Sequence, residues 1–271
     1  MVRNRVIQFC LWIYRMFRSI GILDVPMVHA LYLRVYFAYK KQFEDSLVSL
    51  LKMNPHLLQD GDVLDVGANV GYTATVLGSF LKKGQKVHAF EPDRKNYRDL
   101  MQTIDRFQMS SRIEAIPAAV GSTEGEILLW LNRDHPADHR VLNESLKESL
   151  AEKGLNPDFE KVPMITIDQY CKSKGIDRVS FMKVDVQGFE LEVLKGALET
   201  IDQNPRISIY FEYCAEHLKA LGAKPEALLE FFRGKGFQIL EFNPKKGLVP
   251  FRRLIREGDY TDLLAVRGGQ F

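Results

Sequence analysis

A chain of 271 residues has room for one large α/β domain with an extra segment, or for two small domains. Hydrophobic residues at 46% and charged residues at 27% are ordinary for a globular protein whose core needs neither disulfides nor a structural metal. The net charge of +2 gives no basis for a nucleic-acid partner, which needs a concentrated basic face.

Cys10, Cys171 and Cys214 are an odd, widely spaced set with neither a CxxC pair nor zinc-finger spacing. They read as free thiols in a reducing, cytoplasmic compartment. No stretch approaches the roughly 20 apolar residues that span a bilayer. At the N-terminus Arg3, Arg5, Arg15 and Arg18 interrupt an apolar run, and the part from Val6 to Tyr14 is short even for a signal-peptide core. This basic amphipathic pattern, with Trp12 and Phe17, leaves two readings. The favoured one is a helix packed on the domain itself or on a second copy of the chain; the other is a helix lying in a membrane interface.

In chain order, residues 1–55 read as a helical N-terminal extension that includes ALYLRVYFAYKKQFEDSLVSLLK, and residues 56–271 as one α/β domain. Pro55 and the turn at 59–62 end the helical pattern. Val63–Val66 is then a buried strand, followed by a glycine-rich turn and a helix to about Leu81. Lys86–Phe90 is a strand, followed by a helix to about Phe107. Arg112–Val120 and Ile127–Leu131 are further strands. The polar stretch from Asn132 to Lys161 holds a helix near 142–153. Val162–Ile167 is extended, and Asp168 is the expected N-cap of a helix over 169–174. Phe181–Val184 is a strand that leads through a turn at Asp185–Gly188 into a helix to Ile201. Ile207–Tyr213 is a strand and Pro225–Lys235 a helix, before an antiparallel pair at Phe237–Phe242 and Asp262–Val266. Strands alternating with helices predict a mostly parallel sheet covered on both faces.

The chemistry concentrates in the turn Asp65-Val66-Gly67-Ala68-Asn69-Val70-Gly71. Gly67 and Gly71 let the backbone turn tightly against a ligand, and the helix behind them offers free N–H groups. Glu91 ends the next strand 20 residues past Gly71, where a carboxylate can accept both ribose hydroxyls of an adenosine. A dinucleotide calls for glycine where Asn69 stands. Asp65 suits the amino group of a methionine moiety, reached directly or through water, which favours S-adenosylmethionine over a nicotinamide.

Asp185 follows a central strand, where open α/β sheets place their ligands. It can orient or deprotonate an acceptor hydroxyl, hold a divalent cation that does so, or cap the next helix; metal dependence stays open. Glu190 and Glu192 read as a first-turn acid and a solvated one. Glu212 and His217 flank the end of the following strand, and His217 has an unperturbed pKa suited to a base. His135 and His139 fall in the long polar stretch, with His139 in Asp138-His139-Arg140 the further acid/base candidate.

The run VLDVGANVGYTA, then HAFEPD, the strand ending AAVGS, VPMITIDQY and FMKVDVQGFELEVLKGA resembles the FkbM family of methyltransferases over about residues 60–200. The resemblance implies a Rossmann-like class I methyltransferase fold over residues 56–271, a seven-stranded sheet whose last strand is antiparallel. It implies S-adenosylmethionine as donor and transfer to a hydroxyl of a sugar or secondary metabolite, hence a small-molecule or glycan acceptor. Carried onto this chain, Asp65, Gly67, Asn69 and Gly71 form the donor's first loop, with Tyr72 and Thr73 at the helix start. Glu91 holds the ribose, Ala118 and Ala119 lie near the adenine, and Asp185 and Gln187 face the reactive end. The family commonly has Glu where this chain has Gln187. The alternatives are a nicotinamide-dependent oxidoreductase on a similar sheet and a non-catalytic adenosyl-binding protein.

Overall fold

The computed structural model describes residues 25–40, 46–132, 138–152, 154, 158–252 and 260–267. The amphipathic segment around Trp12 and Phe17, and His135, lie outside the described residues. Helix α1 (Pro26–Tyr39) opens with proline in its first turn, where the missing N–H has no helical partner to lose. Helix α2 (Ser46–Met53) and a 3₁₀ turn (Pro55–Leu58) follow. Leu50, Leu51, Leu57 and Leu58 share one buried cluster with Val63, Leu77 and Phe181, so residues 46–58 contribute to the core of the sheet domain.

The first half of the sheet is built from β1 (Asp62–Val66), α3 (Tyr72–Phe80), β2 (Val87–Phe90), α4 (Arg94–Arg106) and β3 (Ile113–Ile116). A middle stretch carries β4 (Ala119–Val120), β5 (Gly125–Trp130), β6 (Arg140–Val141), α5 (Glu144–Glu152) and β7 (Phe159–Ile165). There follow α6 (Ile167–Lys174), β8 (Val179–Val184), α7 (Glu190–Lys195), α8 (Leu198–Gln203) and β9 (Ser208–Cys214). The chain closes with α9 (Ala215–Ala220), α10 (Pro225–Gly234), β10 (Phe237–Asn243), β11 (Gly247–Pro250) and β12 (Tyr260–Arg267).

The main sheet runs β11-β10-β12-β9-β8-β1-β2-β3. β1 pairs in parallel with β2 and β8, β2 with β3, and β8 with β9, while β12 is antiparallel to β9 and β10. The expected sheet with an antiparallel last strand is present. It gains an eighth strand, because β11 folds back on β10 as a hairpin at the edge. β8 lies mid-sheet with all six residues buried, including Lys183.

Three local expectations needed correction. The strand expected over 112–120 splits at Pro117, whose missing N–H cannot continue a ladder. β3 stays in the main sheet and β4 joins β7 in a second, four-stranded sheet, ordered β4-β7-β5-β6. The helix expected to run to Ile201 breaks into α7 and α8 around Gly196, where a Cβ would lie 2.0 Å from the Gly121 carbonyl oxygen. Thr166, not Asp168, caps α6, its hydroxyl accepting from the Gln169 N–H at 3.1 Å. Asp168 instead caps α8, accepting from the N–H groups of Glu199 (3.0 Å) and Thr200 (2.8 Å).

Candidate active site

The carboxyl ends of β1, β2, β8 and β9 open onto a cavity of about 970 Å³. One wall is the glycine-rich turn. Gly67 has φ +80°, and a Cβ there would sit 2.0 Å from the Asp185 carbonyl oxygen, so the β1 and β8 turns touch through their backbones. Gly71 has φ +88° at the start of α3, with Leu100 too close for a side chain. Asn69 between them is left-handed at φ +48°, a conformation asparagine adopts more readily than most residues.

Glu91 fixes that turn. Its Oε2 accepts from the Asn69 N–H at 2.8 Å and its Oε1 from the Asp93 N–H at 3.0 Å. The side chain is buried on the cavity wall, and burial pushes its carboxyl up to about 7. Each oxygen retains a lone pair for a further donor. Tyr72, Thr73, Ala118 and Ala119 line the same cavity, and the two alanines leave it wide at this end.

Asp65 and Gly71 stand behind the wall rather than on it. Asp65 is fully buried, with neither carboxylate oxygen in a hydrogen bond and Lys183 Nζ 3.5 Å away. Its neighbour Lys183 is on the cavity wall. Lys183 donates to the Gly67 carbonyl at 2.8 Å and lies 3.4 Å from Asp185. Burial pushes Asp65 up against the pull of Lys183. Burial also opposes the lysine's charge, but Asp185 and Asp65 outweigh it and hold the lysine above its ordinary range. Asp185 is held below its ordinary range: burial opposes its charge, but Lys183 outweighs it with help from Lys40 and the Gln187 amide.

The far end of the cavity is acid-rich. Gln187 Nε2 donates to Asp185 Oδ1 at 2.9 Å and to Glu212 Oε2 at 3.2 Å. Asp262 on β12 lies directly across from Glu212 on β9. Burial, then the neighbouring Asp185, raises Glu212 to about 7 and Asp262 to about 6. His217 Nδ1 is 3.5 Å from Glu212 Oε2. Burial works against the imidazolium, but Cys214 and Glu212 outweigh it and raise His217 to about 10. A cation beside Glu212 acts as its counter-charge, and a base at this position would need the neutral imidazole.

His139 joins neither acid nor base at that end. Its Nδ1 accepts from the Asn132 N–H at 3.1 Å and its Nε2 stands 4.0 Å from Asp93, beside Glu91. The N-cap position of α7 is Phe189, not Asp185, and carries no side-chain cap; Glu190 instead holds the turn before it, its buried Oε1 accepting from the N–H groups of Val186 (3.2 Å) and Gly188 (3.0 Å). Glu192 bonds Ser122 and Lys195. Among the described residues, no group of three or more His, Cys, Asp or Glu is arranged to hold a metal ion.

Sequence reasoning missed Lys183, although a lone charge inside the apolar strand Phe181–Val184 was a visible signal. It read residues 1–55 as helical but did not place α1 at the cavity, which His29 and Tyr36 on α1 line together with Lys40 at its end. His29 Nε2 meets Asp99 Oδ2 at 2.9 Å, and Phe37 packs edge-on to Tyr72, fastening α1 to α4 and α3. No motif marks that contact.

The family model of the methyltransferase FkbM domain matches residues 65–239. The chain belongs to this family of methyltransferases, which sets aside the oxidoreductase alternative. It is 26% identical over 227 residues to methyltransferase sdnD of Sordaria araneosa, covering 75% of this chain and 82% of that one. It is 27% identical over 180 residues to the 2-O-methyltransferase NoeI of Sinorhizobium fredii, covering 64% and 69%. The crystal structure of an O-methyltransferase from Bacillus cereus in complex with SAH superposes with a TM-score of 0.50 at 13% identity, over 91% of this chain and 95% of that one. The last likeness shows a shared class I methyltransferase fold. Among the described residues no helix is long and apolar enough to cross a membrane.

Proposed function

We propose that the chain transfers the methyl group of S-adenosylmethionine to a hydroxyl oxygen of a sugar or secondary metabolite, in the cytoplasm. The observation that carries the reading is Glu91: a buried carboxylate on the cavity wall that holds one N–H per oxygen and keeps a lone pair on each. Two vicinal ribose hydroxyls fit those acceptors. Ala118 and Ala119 leave the space an adenine ring needs, and the Gly67–Gly71 turn lets the backbone come close to the rest of the donor. When bound, the sulfonium supplies an electrophilic methyl group.

The protein's own part is to align the nucleophile and take one proton. Glu212 suits the proton: raised to about 7, it is half ionised near neutral pH and backed by the His217 cation. Asp185, held ionised by Lys183, is the weaker base and serves to orient the acceptor. Glu212 would take the acceptor's hydroxyl proton and pass it to solvent. The acceptor oxygen would gain the methyl as the methyl–sulfur bond breaks, and the donor would leave as the neutral thioether S-adenosylhomocysteine. Asp185, Glu212, Asp262 and Glu241 on the wall disfavour an anionic acceptor and suit a neutral polyol. The 2-O-methyltransferase named among the relatives supports oxygen as the methylated atom.

The test is incubation with methyl-deuterated S-adenosylmethionine and a panel of oligosaccharides and hydroxylated polyketides. Label on an acceptor oxygen supports the reading. Label only on nitrogen contradicts it, and donor binding with no transfer to any acceptor would leave a binding protein.

A further inference from the structure

The family resemblance places Gln187 at the reactive end of the donor, yet its side chain goes to two carboxylates. Nε2 donates to Asp185 Oδ1 at 2.9 Å and to Glu212 Oε2 at 3.2 Å, joining the ends of the neighbouring strands β8 and β9. An ionised carboxylate only accepts, so the NH₂ end of the amide is the end that satisfies both. One amide thus spends both its hydrogens on the pair.

The backbone is shaped for this. Gln187 has φ +56°, a left-handed conformation that residues other than glycine rarely adopt. Glu190 holds the turn from both sides through the N–H groups of Val186 and Gly188. Gly188 lies so close to α9 that a Cβ would sit 2.5 Å from the His217 carbonyl oxygen. The turn is pressed against α9 at that point, and Gln187 reaches across to Glu212.

The charged and titratable groups around the pair come from every element packed there. They are Lys183 on β8, Asp65 on β1, His217 on α9, Asp262 on β12, Glu190 on α7 and Lys40 at the end of α1. The two nearest cations are already engaged, Lys183 with Asp185 and Asp65, and His217 with Glu212. A glutamate at position 187, common in the family, would bring a third carboxylate to this point. The amide brings two donors instead.

We propose that Gln187 is a positioning residue of the acceptor site, clamping Asp185 to Glu212 so that the two present one preset carboxylate pair to the acceptor hydroxyl. The assignment of this end to the acceptor rests on the function proposed above; the clamp itself rests on the hydrogen bonds.

The experiment is carboxyl-carbon NMR titration of the full chain labelled in Asp and Glu side chains. It compares the natural protein with Gln187→Ala and Gln187→Glu, and S-adenosylhomocysteine calorimetry runs alongside. Loss of the donated hydrogens in Gln187→Ala should move the Asp185 and Glu212 titrations up by about one unit. In Gln187→Glu a third carboxylate should move them further in the same direction. Titrations unchanged in both variants, with only the melting temperature lowered, would overturn the clamp and leave Gln187 a turn residue. Unchanged titrations with lost S-adenosylhomocysteine binding would overturn it in favour of a donor contact. Shifted titrations in a protein that never binds S-adenosylhomocysteine would keep the clamp and defeat the functional reading. If Gln187→Ala does not fold, the near-isosteric and uncharged Gln187→Met, which lacks the amide hydrogens, carries the same test.

Discussion

Glu91 and Asn69 meet across the mouth of β1, the Glu91 carboxylate accepting the Asn69 N–H at 2.8 Å. The contact ties the end of β2 to the glycine-rich turn before any ligand arrives. Glu91→Gln keeps one acceptor oxygen and turns the other into a donor; Glu91→Ala removes both. With charge-assisted hydrogen bonds contributing about 1.5–3 kcal/mol each, donor affinity should fall roughly 10-fold or more in Glu91→Gln and further in Glu91→Ala. Calorimetric titration with S-adenosylhomocysteine measures both, and an affinity unchanged in Glu91→Ala would remove the ribose assignment.

Glu91 also sets a pH dependence. Burial raises it to about 7, while two ribose hydroxyls need the ionised form as acceptor. Donor binding should therefore weaken as pH falls below about 7, by up to about tenfold per unit. A flat affinity between about pH 5.5 and about pH 8 would show that this carboxyl does not hold the donor.

The ligand-free protein should show the opposite trend in stability. Glu91, Glu190 and Glu212 sit at about 7 and Asp262 at about 6, each raised first by burial. Between the ordinary carboxyl range and these values, the folded chain keeps protons that the unfolded chain has released. Stability must then fall as pH rises through that window. His217, raised from 6.5 to about 10, adds stability that is full below about 6.5 and is lost as pH rises through about 10. The melting temperature should decline from about pH 5 to about pH 8. A melting temperature that rises over this window would mean these acids are ionised and stabilised in the fold.

Lys183 Nζ lies 3.5 Å from the buried Asp65 carboxylate. Lys183→Met removes that charge and leaves the carboxylates of Asp65 and Asp185 without it, a loss of about 3–5 kcal/mol for a broken buried pair. The double variant Lys183→Met/Asp65→Asn should recover part of this in chemical denaturation. Equal stability of the single variant and the natural protein would show that Lys183 is not the counter-charge.

Gly67→Ala tests the contact between the two turns. A Cβ at φ +80°, 2.0 Å from the Asp185 carbonyl oxygen, forces β1 and β8 apart. The cost should exceed about 2 kcal/mol in denaturant unfolding, with donor binding weakened in any folded fraction.

Much of the turn after β1 was legible in the sequence. A glycine can be read as a turn that must pass close to another backbone, and an acid 20 residues further on as a strand-end carboxylate. Gly67 turns against the Asp185 backbone, Tyr72 opens α3 and Glu91 follows β2, as those rules expect. The parallel strands and the antiparallel β12 were legible for a similar reason, since each is a short apolar run bounded by turns. The second sheet was not: β4 and β6 have only two residues each and acquire their identity from partners distant in sequence. The acid-rich end was partly visible. Asp185 and Glu212 could be placed at strand ends, but their protonation depends on Lys183, His217 and Asp262, whose nearness is a tertiary fact. His217 shows the cost, because its unperturbed pKa suggested a base while its neighbours make it a cation. Asp168 shows the same limit on a smaller scale, capping α8 across 31 residues rather than the helix it begins.

The most direct measurement is calorimetric binding of S-adenosylmethionine and S-adenosylhomocysteine to the full chain, with NADH and NADPH in parallel. The account predicts one site per chain for both adenosyl sulfur compounds, and no binding of either nicotinamide. Binding of a nicotinamide, or of none of the four, would contradict it.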